Sequence, residues 1–131
     1  MAVKKLFISF DYEFDNDLRC NFIAQAKEFC VHSIREHSLP AAVVDRKWTR
    51  VARSRIRASD FVIFICGTNT HSAPGVEAEM TITQQLGKAY ILLKGRRDRK
   101  CSKPKGANAA DEIVRWKWKR INSLLDRQFN P

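Results

Sequence analysis

Two carboxylates, Glu77 and Glu79, follow a stretch in which a buried-strand signal gives way to a loop of small residues. Residues 60–67 (DFVIFICG) are an almost unbroken β-branched and aromatic run, as in a strand covered by helices on both faces of a parallel sheet. Open α/β sheets bind ligands beyond the carboxyl ends of their strands. Residues 68–75 are therefore expected at a ligand-binding edge, with Glu77 and Glu79 in the first turn of the next helix. A carboxylate in that place can stabilise a positive charge that develops on a substrate. The plainer alternative is a first-turn acid favoured by the helix dipole, worth ~0.3–1 kcal/mol. Glu77, two residues from Glu79, falls on another helix face and reads as a plain helix acid.

Other chemistries meet specific obstacles. Asp11, Glu13, Asp15 and Asp17 cluster after the first predicted strand and could hold Mg²⁺. A phosphoacceptor receiver domain also needs an Asp at the end of its middle strand, and that strand ends Ile65-Cys66-Gly67-Thr68. The cluster then reads as a solvated loop with helix-capping acids. His32, His37 and His71 lack metal-ligand spacing, so no metal site is expected. There is no G-x-x-x-x-G-K-[ST] phosphate loop, no G-x-G-x-x-G after the first strand and no G-x-S-x-G nucleophile elbow. Cys20, Cys30, Cys66 and Cys101 form no C-x-x-C pair, and the first three fall in apolar patterns, so they read as reduced core thiols.

The elements that would position these groups alternate along the chain. Residues 5–10 (KLFISF) read as a first strand. A helix follows with Leu18, Phe22, Ala26 and Phe29 on one stripe, and Asp15, Asn16 or Asp17 can cap it. Residues 31–34 form a marginal second strand, and residues 36–40 break the pattern. A basic helix over residues 45–59, with Asp45 as N-cap, puts Trp48, Val51, Ala52 and Ile56 on its apolar side. After the strand at residues 61–66 come a helix over 75–86 ended by Gly87 and a fourth strand at 89–93. Residues 94–110 read as a mobile basic loop, and residues 111–129 as a C-terminal helix packed on the sheet. The alternation predicts a single domain, 1–131, of the α/β class: a doubly wound, flavodoxin-like parallel sheet flanked by helices.

A chain of 131 residues, 44% of them apolar, can bury a core without metal or disulfide staples. No apolar run approaches the ~20 residues of a membrane span, and the N-terminus carries no secretion signal, so a cytoplasmic protein with no membrane association is expected. The formal net charge of +10 makes an anionic partner plausible. Eleven of the 24 basic residues lie between Lys94 and Arg120, and a second group lies on the 45–59 helix. No helix-turn-helix, zinc-finger or aromatic RNA-binding pattern accompanies that charge, which argues against nucleic acid. A solvated helix face, dinucleotide phosphates or an acidic protein neighbour remain as readings.

Taken together, several motifs carry a resemblance. Phe7-Ile8-Ser9-Phe10-Asp11-Tyr12 resembles the "FISY" opening of TIR domains. Residues 56–67 (IRASDFVIFICG) are similar to the segment those domains place before and through the following strand, and Gly75-Val76-Glu77-Ala78-Glu79-Met80 falls where TIR NADases have W-C-x-x-E-[LI]. The likeness extends to the TIR-like branch that includes the TIR subunit of Thoeris antiphage defence. There, Val-x-x-Glu precedes a Lys-x-[YF]-[IL]-Leu-Leu strand, as in Lys88-Ala89-Tyr90-Ile91-Leu92-Leu93, and Trp116-Lys117-Trp118-Lys119-Arg120-Ile121 resembles the branch's last helix. The resemblance spans residues 5–125. Gly75 replaces the aromatic that many TIR NADases have four residues before the catalytic Glu, so stacking on the substrate is supplied elsewhere or lost.

The resemblance implies that Glu79 is the catalytic carboxylate of an NAD-cleaving enzyme, with NAD as substrate and no cofactor. Ser9, Phe10, Asp11 and Tyr12 would form the lip of the nicotinamide-ribose pocket. His37 and Ser38 would lie on the 35–44 loop, which TIR domains use for closure over the nucleotide and for self-association. The product would be a cyclic or modified ADP-ribose signal passed to a separate effector. A non-catalytic TIR-like adaptor, acting by self-assembly or effector binding, is the alternative. The basic 94–105 segment, leaving the fourth strand at the same sheet edge, is expected to attract the pyrophosphate or to dock an acidic neighbour.

Overall fold

The computed structural model describes residues 3–36 and 44–130. Five strands, β1 (Lys4–Ser9), β2 (Ile34–Glu36), β3 (Phe61–Cys66), β4 (Tyr90–Lys94) and β5 (Ile113–Val114), form one sheet in the order β2-β1-β3-β4-β5. Every neighbouring pair is parallel. The helices are α1 (Asn16–Phe29), α2 (Arg46–Ala58), α3 (Pro74–Gln85) and α4 (Trp118–Phe129). This is the flavodoxin-like order, in which the ligand crevice opens between β1 and β3 at their carboxyl ends.

Strand periodicity divides the core in two. Leu6, Ile8, Ile63 and Ile65 point to the side of Leu18 and Phe22 on α1 and of Ile121 and Leu125 on α4. Phe7, Val62, Phe64 and Cys66 point to the side of Trp48, Ala52 and Ile56 on α2 and of Val76 and Met80 on α3. All six residues of β3 are buried, because helices cover both of its faces.

Local chemistry sets the helix boundaries. Asp45 caps α2 by accepting the Trp48 N–H at 2.7 Å, as expected. Pro74 opens α3, where its missing N–H costs nothing. Gly87, at φ +64°, ends that segment in the left-handed region a side chain would resist. Asp15 stands at the N-cap position of α1 but makes no capping bond there, its carboxyl being engaged elsewhere.

Several sequence expectations are corrected. The second strand lies at Ile34–Glu36, not 31–34; Val31 is 66% exposed, and pairing starts at Lys4 opposite Ile34. Residues 111–117 are not helical. Ile113 and Val114 instead pair with Leu92 and Leu93, giving the β4 edge a fifth strand, and α4 starts only at Trp118. Along α1, Leu18, Phe22 and Ala26 are buried but Phe29 is 51% exposed at the helix end. Cys20 is exposed, on the outer side of α1, whereas Cys66 is in the core; all four cysteines are free. Apart from Lys94, which ends β4, the 94–110 segment contains no helix or strand but is tied down. Gly95 N–H donates to Cys66 O and Ser102 N–H to Gly67 O, both at 2.9 Å, and Gln84 Nε2 donates to Gly106 O at 3.0 Å. Among the described residues no helix is long and apolar enough to cross a membrane.

Candidate functional site

A cavity of about 270 Å³ lies at the carboxyl ends of β1 and β3, walled by Phe10, Asp11 and Tyr12 after β1, Val44 and Trp48 at the start of α2, and residues 73–76 with Glu79 on α3. Its position follows from the topology. The chain leaves β1 and β3 at this edge, and α2 begins here because it must run back antiparallel to the strands.

Glu79 is the unusual group. It sits in the second turn of α3, since Pro74 starts the helix, so the first-turn dipole account offered by the sequence applies only to Glu77. Glu79 is 5% exposed, and its Oε1 accepts a 2.7 Å hydrogen bond from Ser9 Oγ at the end of β1. No salt bridge reaches it among the described residues. Burial raises its pKa from 4.5 to about 8, and the Ser9 hydroxyl opposes that rise only in part. Carboxyl groups are seldom buried without a cation or a full set of donors. One donor from Ser9 leaves Glu79 poised to change charge with its surroundings.

The structure brings Phe10, Asp11 and Tyr12 to the cavity wall together with Glu79. Ser9 is 1% exposed and supports the Glu79 carboxyl from below rather than forming the lip. The Asp11 carboxylate accepts the Glu13 N–H at 3.1 Å, which folds the loop back on itself. The Tyr12 ring lies 5.6 Å from that of Phe10, and the Arg19 guanidinium lies over the other aromatic neighbour's ring, Phe10, at 5.8 Å. Arg19 in turn forks onto Glu36 at 2.6 and 3.0 Å. His37 and Ser38 lie outside the described residues.

Trp48, placed by the sequence on the apolar side of the basic helix but not among the candidate site residues, is a wall residue of the cavity. Its ring approaches Gly75: a Cβ at Gly75 would lie 3.9 Å from Trp48 Cζ2. An aromatic surface is thus present beside the position where Gly75 provides none, delivered from α2 instead of α3. Trp48 is 8% exposed, and its Nε1 has no hydrogen-bond partner among the described residues. The signal was available. Trp48 shares the stripe of Ala52 and Ile56, and the first-turn member of a stripe on a helix starting at this edge must reach the crevice.

The neighbouring acids serve the scaffold. Arg96, just after β4, bonds Asp17 through both of its carboxylate oxygens at 2.7 and 2.8 Å, Asp15 at 3.2 Å and the Phe14 carbonyl at 3.0 Å. That contact holds the Asp17 carboxyl below its usual range. Asp15, 2% exposed, is raised by burial, with Arg96 opposing. Gly67 permits this arrangement, since a Cβ there would stand 2.2 Å from Asp15 Oδ2. Arg96 is therefore committed to its own chain, and no residue of the 94–105 segment lines the Glu79 cavity. No group of three or more His, Cys, Asp or Glu among the described residues could hold a metal ion. The Cys66 thiol, buried and pushed up to about 12, is not a nucleophile.

Chemically, the cavity offers apolar and aromatic walls, three acids (Asp11, Glu13 and Glu79) and, among the described residues that line it, no cation. It suits a flat, positively charged group with hydroxyls attached. No family model matches this chain, and no curated protein matches it.

Proposed function

We propose that this chain is a TIR-like domain that breaks the N-glycosidic bond between nicotinamide and ribose in NAD. The observation that carries the proposal is a buried carboxyl with a single hydroxyl partner among the described residues, in an acidic, aromatic cavity at the β1/β3 crevice. The nicotinamide ring of NAD is cationic and leaves as a neutral molecule, so no strong general acid is needed. As the bond stretches, positive charge moves onto the ribose, and the ionised Glu79 stabilises it as glycosidase carboxylates do. Ser9 positions that carboxylate, and Trp48 and Tyr12 offer aromatic surfaces to the ring. At about 270 Å³ the cavity is just below the ~300 Å³ lower end of small-ligand pockets, so it takes the nicotinamide-ribose end and leaves the pyrophosphate outside.

Water, or a nucleophile within the same dinucleotide, then takes the ribose carbon that nicotinamide leaves, giving ADP-ribose or a cyclic or otherwise modified ADP-ribose. On the Thoeris-like reading that product is a signal, made in the cytoplasm during phage infection by self-associated domains and passed to a separate effector. The test is mass spectrometry of nicotinamide and ADP-ribose products formed from NAD, by the purified protein and in infected cells, with wild type and Glu79→Gln. Products with the wild type and none with the folded variant are expected. Equal output from both proteins would remove Glu79 from the chemistry. No NAD product in either setting would leave the non-catalytic adaptor as the better account.

A further inference from the structure

A second, larger cavity lies elsewhere. About 670 Å³ lies between α1, the end of β4 and the β5–α4 connection, and its lining shares no residue with the Glu79 cavity. Four cations, Lys94, Arg97, Arg115 and Lys117, line it with one acid, Asp98. None of the four forms a salt bridge among the described residues, although Arg19 and Arg96 of the same chain do. Between these cations stand Trp116 and Trp118, both half-buried. The two indole N–H groups donate to one acceptor, Gln25 Oε1, at 2.8 Å each. Both rings also lean on Phe22, with centroids 5.8 and 5.1 Å away. Their only polar atoms are thus consumed inside the protein, and what they add to the cavity is fixed aromatic carbon surface.

We propose that this cavity is a second ligand site, for a nucleoside di- or polyphosphate. The indole surfaces supply stacking for a base, which is tolerant of base identity because every base has a π-face. The unpaired guanidinium and ammonium groups supply phosphate contacts. The volume falls within the ~300–1,000 Å³ of small-ligand sites. Walls on three sides favour one nucleotide over a run of them. The site stands on its own observations and does not require that Glu79 cleave NAD.

The test is calorimetric titration of the whole protein with ADP, adenosine, inorganic pyrophosphate and a ten-residue oligothymidylate, together with tryptophan fluorescence in a Trp48→Phe background where only Trp116 and Trp118 report. ADP is expected to bind saturably and quench that fluorescence, with adenosine and pyrophosphate each at least about tenfold weaker because each lacks half of the contacts. The Arg115→Gln/Lys117→Gln double variant should weaken ADP by about tenfold or more, and Glu79→Gln should leave it unchanged. Should Trp48→Phe unfold the protein, calorimetry on the wild type and the double variant decides alone. The proposal is overturned by pyrophosphate binding as tightly as ADP, by preferential binding of the oligothymidylate, by loss of ADP binding in Glu79→Gln, or by no ADP binding at all.

Discussion

Replacing Glu79 by Gln tests the burial argument apart from any enzymatic activity. In the native protein this carboxyl titrates at about 8, against 4.5 for an ordinary glutamate. Between those values the unfolded chain has released a proton that the native protein still holds, so native stability falls as pH rises through that window. At ~1.36 kcal/mol for each pH unit, Glu79 alone makes the wild type about 3 kcal/mol less stable at pH 8.5 than at pH 5.5. Gln is nearly isosteric, still accepts the Ser9 hydroxyl and does not titrate. Any cost of burying its amide shifts stability equally at all pH values, and the other titrating groups cancel when the two proteins are compared. Urea unfolding followed by far-ultraviolet circular dichroism at pH 5.5, 6.5, 7.5 and 8.5 reads the difference directly. The variant should gain on the wild type by about 3 kcal/mol across that range. Parallel curves, within about 0.5 kcal/mol, would mean that Glu79 is solvated or paired and that the site rests on a misread carboxyl.

Under the proposed NAD cleavage, the same carboxyl should set the pH profile: kcat/KM for NAD should climb about tenfold per pH unit below about 8 and level off above it, as read by nicotinamide release. Ser9→Ala removes the hydroxyl that lowers the Glu79 pKa and should move that rising limb to higher pH, whereas a merely structural Ser9 would change the height of the profile and not its midpoint. Gly67→Ala sets a methyl group 2.2 Å from Asp15 Oδ2 and should cost about 1–3 kcal/mol in thermal or urea unfolding. Arg96→Gln leaves the buried Asp15 without its cation; the loss, about 1–3 kcal/mol at pH 7, should shrink as pH falls and the carboxyls it serves become protonated.

What was legible in the sequence was what local periodicity and turn chemistry determine alone. The buried run of β3, the Asp45 cap, the Gly87 stop and the doubly wound class all follow from residues adjacent in the chain. The misreadings share one cause, a partner distant in sequence. Ile113 and Val114 carry a helix-compatible pattern but take extended backbone because Leu92 and Leu93 need an edge partner some twenty residues away. Residues 94–110 look unstructured by composition yet are tied to the carbonyls of Cys66 and Gly67. Arg96 looked available to a phosphate until the fold placed Asp15 and Asp17 beneath it.

The two Glu residues show most clearly why the site was only half visible. Glu77 and Glu79 are equivalent in type and nearly so in position, and nothing local says which one is buried. The choice is made by α3 packing Val76 and Met80 against the sheet, which turns Glu79 toward Ser9 and the crevice and leaves Glu77 at the half-buried flank. The same packing makes the carboxyl useful. A helix docked through apolar neighbours on either side holds Glu79 out of water, where its charge is costly in the free protein and is stabilised when a cationic group arrives. Binding of such a group and ionisation of Glu79 are then one coupled event, so a cationic ligand should be bound with release of a proton below about pH 8. Titrating nicotinamide mononucleotide into wild type and Glu79→Gln at pH 7 in two buffers of different ionisation enthalpy measures that proton. Release in the wild type alone is the expected result, and equal release, or none, in both proteins would break the link between burial and chemistry.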